Sequence, residues 1–331
     1  MINTIYIEEN VKEHPRTKNI LSRFKVARHI YIDRYGELFN RRNQNFRIQK
    51  HRPDLILANK HQGFVLPTPE GFGFTGSKNY YFSHMYNCIY DCRYCFLQGL
   101  YRSANLVLFV NYEDFDKEII KLVEANKGEQ VNFFSGYDCD SLALENVTGF
   151  ATHILPIFKK LPSALIEFRT KSIQVRPLLS IPVIENCVVA YSLVPDIISQ
   201  KVDLRAPTIE QRIQTMVKLA NAGWKIGLRF DPLIHGRDWK NLYECLLNRV
   251  FNLIPNRSIH SISYGALRFP RAMFKTITKL YPKDKLLSSK LNNHNAYVSY
   301  SAELETEMIE FCRELSIKFV SEEKIFKCSS Q

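Results

Sequence analysis

The sequence predicts an α/β fold whose centre is a partial (β/α)6 barrel of parallel strands. Between about residues 79 and 268, six short runs rich in Val, Ile and aromatics alternate with longer stretches of helical periodicity. The runs are apolar throughout, as strands buried on both faces are. Alternation on this scale builds right-handed βαβ units, and so a parallel sheet that closes or partly closes. Ligands of such a sheet sit at the carboxyl ends of its strands.

The strand candidates are residues 79–84, 131–136, 164–170, 188–194, 225–233 and 262–267. A further run, 106–111, reads as an edge strand or as the lead-in to a helix. The clearest helix begins after Thr208, where Thr208 and Gln211 form a capping box. Ile209, Ile213, Met216, Val217 and Ala220 then share a face, and Gly223 supplies the stop. Residues 114–125, 145–160, 238–253, 271–281 and 302–315 are the other helix candidates. The expected organisation is a basic, irregular extension over 1–75, a barrel over 76–290 and a C-terminal region over 291–331 with a terminal strand. Pro and Gly between 64 and 76 mark the entry into the barrel.

The charge balance is 45 Lys and Arg against 33 Asp and Glu, a formal +12. Such an excess suits a polyanion, above all nucleic acid, through phosphate neutralisation; the plainer reading is a generically basic surface. With 45% hydrophobic residues, global disorder is excluded. No apolar run approaches a membrane span and no secretory pattern opens the chain, so a soluble, cytoplasmic monomer with no membrane partner is expected. There is no phosphate loop and no dinucleotide fingerprint. Of eight cysteines, Cys139, Cys187, Cys245, Cys312 and Cys328 are scattered, which is no disulfide framework.

The other three form Cys88-x3-Cys92-x2-Cys95, just after the first strand candidate. Three thiolates on one loop can wrap a [4Fe–4S] cubane, each taking one iron and leaving the fourth open to a small chelating ligand. Tetrahedral zinc with His84 as fourth ligand is the competing reading, and would make the chain a zinc-containing nucleic-acid-binding protein without catalysis. Three coincidental core cysteines would be the blandest. The aromatic before Cys95 and the strand-end placement favour the cluster.

With that aromatic, the motif resembles the signature of the radical S-adenosylmethionine (SAM) superfamily. The resemblance implies that SAM chelates the open iron and is cleaved by an electron from the cluster to a 5′-deoxyadenosyl radical. A closer resemblance runs collinearly from about residue 80 to 290. Cys92-Arg93-Tyr94-Cys95-Phe96-Leu97-Gln98, Leu108-Phe109-Val110-Asn111-Tyr112-Glu113-Asp114 and Phe168-Arg169-Thr170-Lys171 are similar to the spore photoproduct lyase family. So are Arg205 through Arg212 to Ala222-Gly223-Trp224, Asp231-Pro232-Leu233-Ile234-His235, Leu267-Arg268-Phe269-Pro270 and Tyr281-Pro282-Lys283-Asp284-Lys285-Leu286. The family implies a partial barrel of the radical SAM type and repair of the methylene-bridged thymine dimer of ultraviolet-damaged spore DNA. It also implies an external electron donor such as flavodoxin or ferredoxin. A related enzyme acting on another nucleic-acid or nucleotide substrate is the second reading.

By motif position, Cys88, Cys92 and Cys95 carry the cluster, and Tyr94, Lys171 and Ser192 lie beside SAM. Plainer readings are packing for Tyr94, a surface lysine for Lys171 and local backbone bonding for Ser192. The family returns hydrogen to its product from a cysteine after the second strand. Here that position holds Tyr137, with Cys139 two places on, and the residue after Cys95 is Phe96 where tyrosine is common. Tyr137, Cys139 and Tyr94 are therefore the catalytic candidates, Cys139 reading equally as a packed small residue. Asp231 and His235 fall on the expected rim, to orient substrate or, more plainly, to hydrogen-bond the adjacent loop; Arg229 and Arg268 lie near it and read equally as phosphate contacts or as partly buried ion-pair partners; Trp224 reads as core, and Tyr297 and Tyr300 could stack on bases where a DNA-contacting hairpin is hard to find.

Overall fold

Six parallel strands, each followed in the chain by helix, build the main sheet of the computed structural model, which describes residues 2–69, 71–74 and 76–327. They run in chain order across the sheet: Lys78–Phe82, Val131–Ser135, Ala164–Thr170, Cys187–Ser192, Lys225–Leu233 and Ile259–Ala266. Leu66–Pro67 adds an antiparallel edge and Ile325–Lys327 a parallel one, so the sheet curls into an open half-barrel. All six fall on the predicted runs. Val131–Ser135 and Cys187–Ser192 are buried at every position, which is why they read as continuous apolar segments.

Helices cover the outer face. The capping box forms as predicted: the Gln211 amide donates to Thr208 Oγ1 (3.2 Å) and the Thr208 amide to Gln211 Oε1 (2.9 Å). Ile209, Ile213 and Met216 bury that helix against the sheet, with Trp224 fully enclosed after it. The single helix expected over 145–160 is two, Glu145–Thr148 and Phe150–Lys159. Gly149 adopts φ 60° between them, and the Glu145 carboxylate turns back to accept the Ala151 and Thr152 amides. The break places a carboxylate on the start of the second helix, where the exposed N–H groups favour it.

Residues 1–75 are not the irregular extension expected. Thr4–Glu8, Arg28–Ile32 and Leu55–Ala58 form a second, parallel sheet with Leu106–Phe109, which Met85–Tyr86 extends. Leu106–Phe109 is thus interior to this sheet. The strands are short, separated by basic stretches, and complete their ladder only through a segment far along the chain. Arg28–Ile32 lies at the open edge with its charged residues in solvent, so its composition reads as surface. Buried Glu8 ties the sheet together by accepting the Tyr35 amide (2.7 Å) and the Asn59 amide (2.9 Å).

Inside the half-barrel, Arg229 meets Glu167 through Nε (3.0 Å) and Nη2 (2.6 Å), both side chains fully buried. Ser261 and the Leu228 carbonyl take the remaining guanidinium protons, and Arg169 adds a second cation at 3.2 Å. Gly227 makes room: a Cβ there would stand 2.8 Å from Arg229 Nη2. Of the two readings of Arg229, phosphate contact at the rim or ion-pair partner, the structure has the ion pair, and fully buried. Burial opposes the Glu167 charge, but the two guanidinium groups outweigh it and hold the carboxyl down at about 2. Its folded value lies below the unfolded one, so the stabilisation is present above about pH 4.5 and is lost as pH falls towards 2. Arg229→Met should cost about 3–5 kcal/mol, read as a lower urea midpoint at pH 7. The double variant Glu167→Gln/Arg229→Met should recover most of it and be less acid-sensitive than the wild type. A single variant as stable as the wild type would show the pair to be dispensable.

Candidate active site

A cavity of about 320 Å³ opens at the carboxyl ends of the barrel strands. Gly136, Tyr137, Cys139 and Asp140 reach it after Val131–Ser135, Thr170 and Lys171 from the third strand, Ser192 from the fourth, and Asp231 and Pro232 from the fifth. The loop carrying Cys88, Cys92 and Cys95 forms another wall.

Several contacts hold that loop. Asn87 takes a left-handed conformation (φ 65°) and donates to the Ser103 and Asn105 carbonyls at 2.8 and 2.7 Å. Asp91-Cys92 pairs antiparallel with Asp203-Leu204, and the Arg93 amide donates to the Val202 carbonyl (2.8 Å). Arg93 bridges Asp91 (3.0 Å) and Asp284 (3.4 Å) over the face of Tyr281. Gln98 donates to Asp91 and accepts from the Tyr281 hydroxyl (3.0 Å). The Cys92–Gln98 motif and the Tyr281–Asp284 motif, far apart in sequence, are thus two halves of one clamp.

The three thiols are free; Cys92 is buried and Cys88 and Cys95 are half-buried against the cavity. Burial pushes all three up, Cys88 to about 12. Lys171 opposes this at Cys92 and Cys95, and Lys50 at Cys88 and Cys95. Three thiols that are costly to ionise alone fit iron that takes them as thiolates, and the two flanking ammonium groups fit the net negative charge of such a thiolate–cluster unit. Among the described residues no three His, Cys, Asp or Glu side chains converge as the ligands of a single ion. A cubane asks for something else, one sulfur on each of three irons. His84, the fourth ligand of the zinc reading, stacks flat on Phe150 (4.1 Å, 2°) and is absent from the cavity wall. Burial lowers its ring to about 3, so it stays neutral. The zinc reading loses its fourth ligand.

Tyr94 donates to Asp203 Oδ1 (2.5 Å), and Asp203 pairs with Arg212 (2.8 Å), all three buried. Burial opposes the Asp203 charge, but Lys171 and Arg212 outweigh it and hold the carboxyl below its usual range. Lys171 stands with its ammonium 5.1 Å from the Tyr94 ring centroid; burial works against its charge, but Cys92 and Asp203 raise it. Asp140 fixes the lysine's backbone, accepting the Lys171 amide (2.7 Å) and the Thr170 hydroxyl (2.6 Å). Lys171 is a wall residue of the cavity rather than a surface lysine. Ser192 lines the cavity, and its hydroxyl makes no hydrogen bond among the described residues. Asp203, Arg212, Asn87 and Lys50 escaped sequence reasoning as site residues; Arg212 and Asn87 lie in or beside motifs that gave them no role, Lys50 and Asp203 in none, and Asp203 meets Tyr94 across 109 positions.

Tyr137 and Cys139 both line the cavity. Tyr137 packs on Tyr81 (4.3 Å) and Phe96 (5.4 Å), and its hydroxyl has no hydrogen-bond partner among the described residues. Cys139 is 6% exposed, with the Met85 backbone and Cys88 near its sulfur. Asp231 holds Arg268 (3.0 Å) at the rim. A hairpin is present where it was hard to find: Asn292–Asn293 pairs with Tyr297–Ser299, which pairs on its other side with Arg268–Pro270. Tyr297 borders the cavity, whereas Tyr300 is 2% exposed, its oxygen taken by the His235 amide, and cannot stack on bases. His235 packs on Trp239 and Tyr300 away from the cavity wall.

An open parallel half-barrel with a three-thiol loop at its strand ends defines a radical SAM enzyme. The family model described as spore photoproduct lyase matches residues 1–304, and this chain belongs to the spore photoproduct lyase family. The spore photoproduct lyase of Bacillus subtilis (strain 168) is 22% identical over 288 residues, 85% of this chain and 83% of that protein. That of Clostridium acetobutylicum is 24% identical over 211 residues, 63% of this chain and 62% of that protein. A solved spore photoproduct lyase variant with bound AdoMet and dinucleoside spore photoproduct matches with a TM-score of 0.85 at 16% identity, over 100% of this chain and 99% of that one. Members of this family are radical SAM lyases that use a [4Fe–4S] cluster and SAM. Among the described residues no helix is long and apolar enough to cross a membrane.

The clamp can be tested through cluster retention. Arg93→Met removes both ion pairs, and cluster affinity after anaerobic reconstitution should fall about tenfold, the usual cost of losing support behind a metal ligand. Unchanged iron retention against a chelator would contradict the clamp.

Proposed function

We propose that this chain reverses the methylene-bridged thymine dimer in DNA, with Cys88, Cys92 and Cys95 holding the cluster. The observation that carries the reading is the convergence of the three thiols, Lys171, Ser192 and the two hydrogen-donor candidates on one cavity, in a chain of this family. The solved relative was captured with AdoMet and a dinucleoside spore photoproduct. When bound, cluster and SAM supply a 5′-deoxyadenosyl radical that removes hydrogen from the lesion.

The chain's own residues do the rest. The Lys171 ammonium and the Ser192 hydroxyl offer a cation and a hydroxyl to a carboxylate entering the cavity. Asp140 holds the lysine's backbone and Asp203 fixes the Tyr94 ring below it. The Tyr94 hydroxyl is committed to that carboxylate, which assigns Tyr94 to positioning. Tyr137, with its unpartnered hydroxyl on the cavity, is the better-placed hydrogen donor: its O–H bond breaks as the product's C–H bond forms. The phenoxyl radical left behind returns to the phenol by taking one electron from the external donor and one proton from solvent before the next turnover. Cys139 stands behind it as the second candidate.

DNA fits the surface round the mouth. Residues 38–53 expose Arg41, Arg42, Arg47 and Arg52 and carry no acid, and residues 271–283 carry four Lys and Arg with none. The two segments touch, Arg47 Nη1 lying 3.5 Å from the Leu280 carbonyl and its guanidinium 5.7 Å from the Tyr281 ring. A basic collar with no acid of its own is a phosphate-binding surface. Phe96 and Tyr137, where the family pattern has tyrosine and cysteine, favour a second reading in which the substrate is a different nucleic-acid lesion.

Reduced, reconstituted protein should release thymine from spore-photoproduct DNA in step with lesion loss and 5′-deoxyadenosine formation. Tyr137→Phe should slow thymine recovery at least about tenfold, 1.4 kcal/mol in the barrier, and Cys139→Ala much less. Deoxyadenosine release with the lesion intact would move the substrate elsewhere, and the reverse order of the two variants would make Cys139 the donor.

A further inference from the structure

Lys50 ends the short helix Phe46–His51, in the segment that sequence reading left as irregular. It is 5% exposed, and its ammonium donates to the Cys88 carbonyl at 2.5 Å while bordering the cavity. Its place is built from both ends. Arg205 donates to the Lys50 carbonyl, and the Phe46 ring lies 5.9 Å from the ammonium. No carboxylate pairs with Lys50 among the described residues. An ammonium sunk against a cavity without a counter-ion is costly. The cost is removed if an anionic group occupies the space it faces, and that space is the one bounded by the three sulfurs.

The two lysines of the site divide these sulfurs between them. Lys171 acts on Cys92 and Cys95, and Lys50 acts on Cys88 and Cys95. Each cysteine therefore has at least one ammonium near it, one from the N-terminal segment and one from the end of the third barrel strand. Asp140 is the acid that bears on Cys88, and its carboxylate is engaged with Thr170 and the Lys171 amide. Reducing a thiolate-ligated cluster adds negative charge in a dry site, and a fixed positive charge a few ångströms away stabilises the reduced form more than the oxidised one.

We propose that Lys50 is a positioning residue of the reaction, the N-terminal counter-charge that raises the reduction potential of the cluster and so makes it reducible by the cell's one-electron donors. This rests on the reading that Cys88, Cys92 and Cys95 hold a [4Fe–4S] cluster. Lys50 touches neither substrate nor SAM in performing it; it acts through the sulfurs and the Cys88 backbone.

The test is a potentiometric titration with dithionite, without SAM or DNA, following the electron paramagnetic resonance signal of the reduced cluster. The proteins are full-length wild type, Lys50→Gln, Lys50→Met and Lys50→Arg, each reconstituted anaerobically. At the wild-type midpoint, Lys50→Gln should show about a tenfold lower ratio of reduced to oxidised cluster, a shift of about 59 mV to more negative potential. Lys50→Met, which keeps the aliphatic stem, should shift equally and serves if Lys50→Gln does not fold. Lys50→Arg should stay within about twofold of wild type, because the charge is kept. Loss of iron from both neutral variants but not from Lys50→Arg would be the same counter-charge read as occupancy. Neutral variants that titrate with the wild type, or an arginine variant displaced as far as they are, would overturn the proposal, as would loss of iron from all three. A wild type that binds no cluster at all would instead bring down the reading on which the proposal stands.

Discussion

Three thiols that burial makes hard to ionise must be held together at the mouth of a parallel half-barrel, and much of the structure answers to that requirement. A nine-residue stretch cannot fix its own geometry when its backbone forms only a two-residue ladder. The chain recruits distant partners: Asn87 binds the carbonyls of 103 and 105, Asp203-Leu204 pairs with Asp91-Cys92, and Tyr281 and Asp284 grip Gln98 and Arg93. Lys50 and Lys171 then supply positive charge beside the sulfurs, the loop's own Arg93 being engaged by Asp91 and Asp284. The second sheet has a mechanical place in this arrangement. Met85–Tyr86, immediately before the loop, is its edge strand, so the N-terminal third of the chain helps hold the cysteines in position.

Deeper in the barrel, the Arg229–Glu167 pair occupies space that apolar side chains would otherwise fill. Buried pairs of this kind often add little net stability over a hydrophobic replacement, but breaking one is expensive. Its position on the strands that carry Arg169, Lys171 and Asp231 at their ends ties it to the register of the site floor. The polar groups nearer the surface form a second layer: Asp140 on the Lys171 backbone, Asp203 on Tyr94 and Arg212. The reacting region is thereby bounded by side chains whose orientations are set by buried carboxylates.

What the sequence revealed, and what it hid, divides along the range of the interactions. The six barrel strands were legible because burial on both faces leaves continuous apolar runs, and the capping box at Thr208 because both partners lie within four residues. The cysteine motif was legible for the same reason, its chemistry being packed into eight positions. The N-terminal sheet was not, since its strands are short, charged at one edge and paired with Leu106–Phe109 across the chain. Asp203 and Lys50 carry no local signature; their function exists only once the fold brings them to Tyr94 and Cys88. Gly149 split a helix that periodicity alone ran together, and Tyr300, an exposed-looking aromatic in sequence, is buried under His235.

The most direct test of the central claim, that Cys88, Cys92 and Cys95 build a cluster with one iron open to SAM, is electron paramagnetic resonance of the anaerobically reconstituted, reduced protein with and without SAM. The expected result is a [4Fe–4S] signal whose shape changes when SAM is added, and its loss when the three cysteines are replaced by alanine. Colourless protein carrying stoichiometric zinc after reconstitution, or a cluster signal indifferent to SAM, would contradict it.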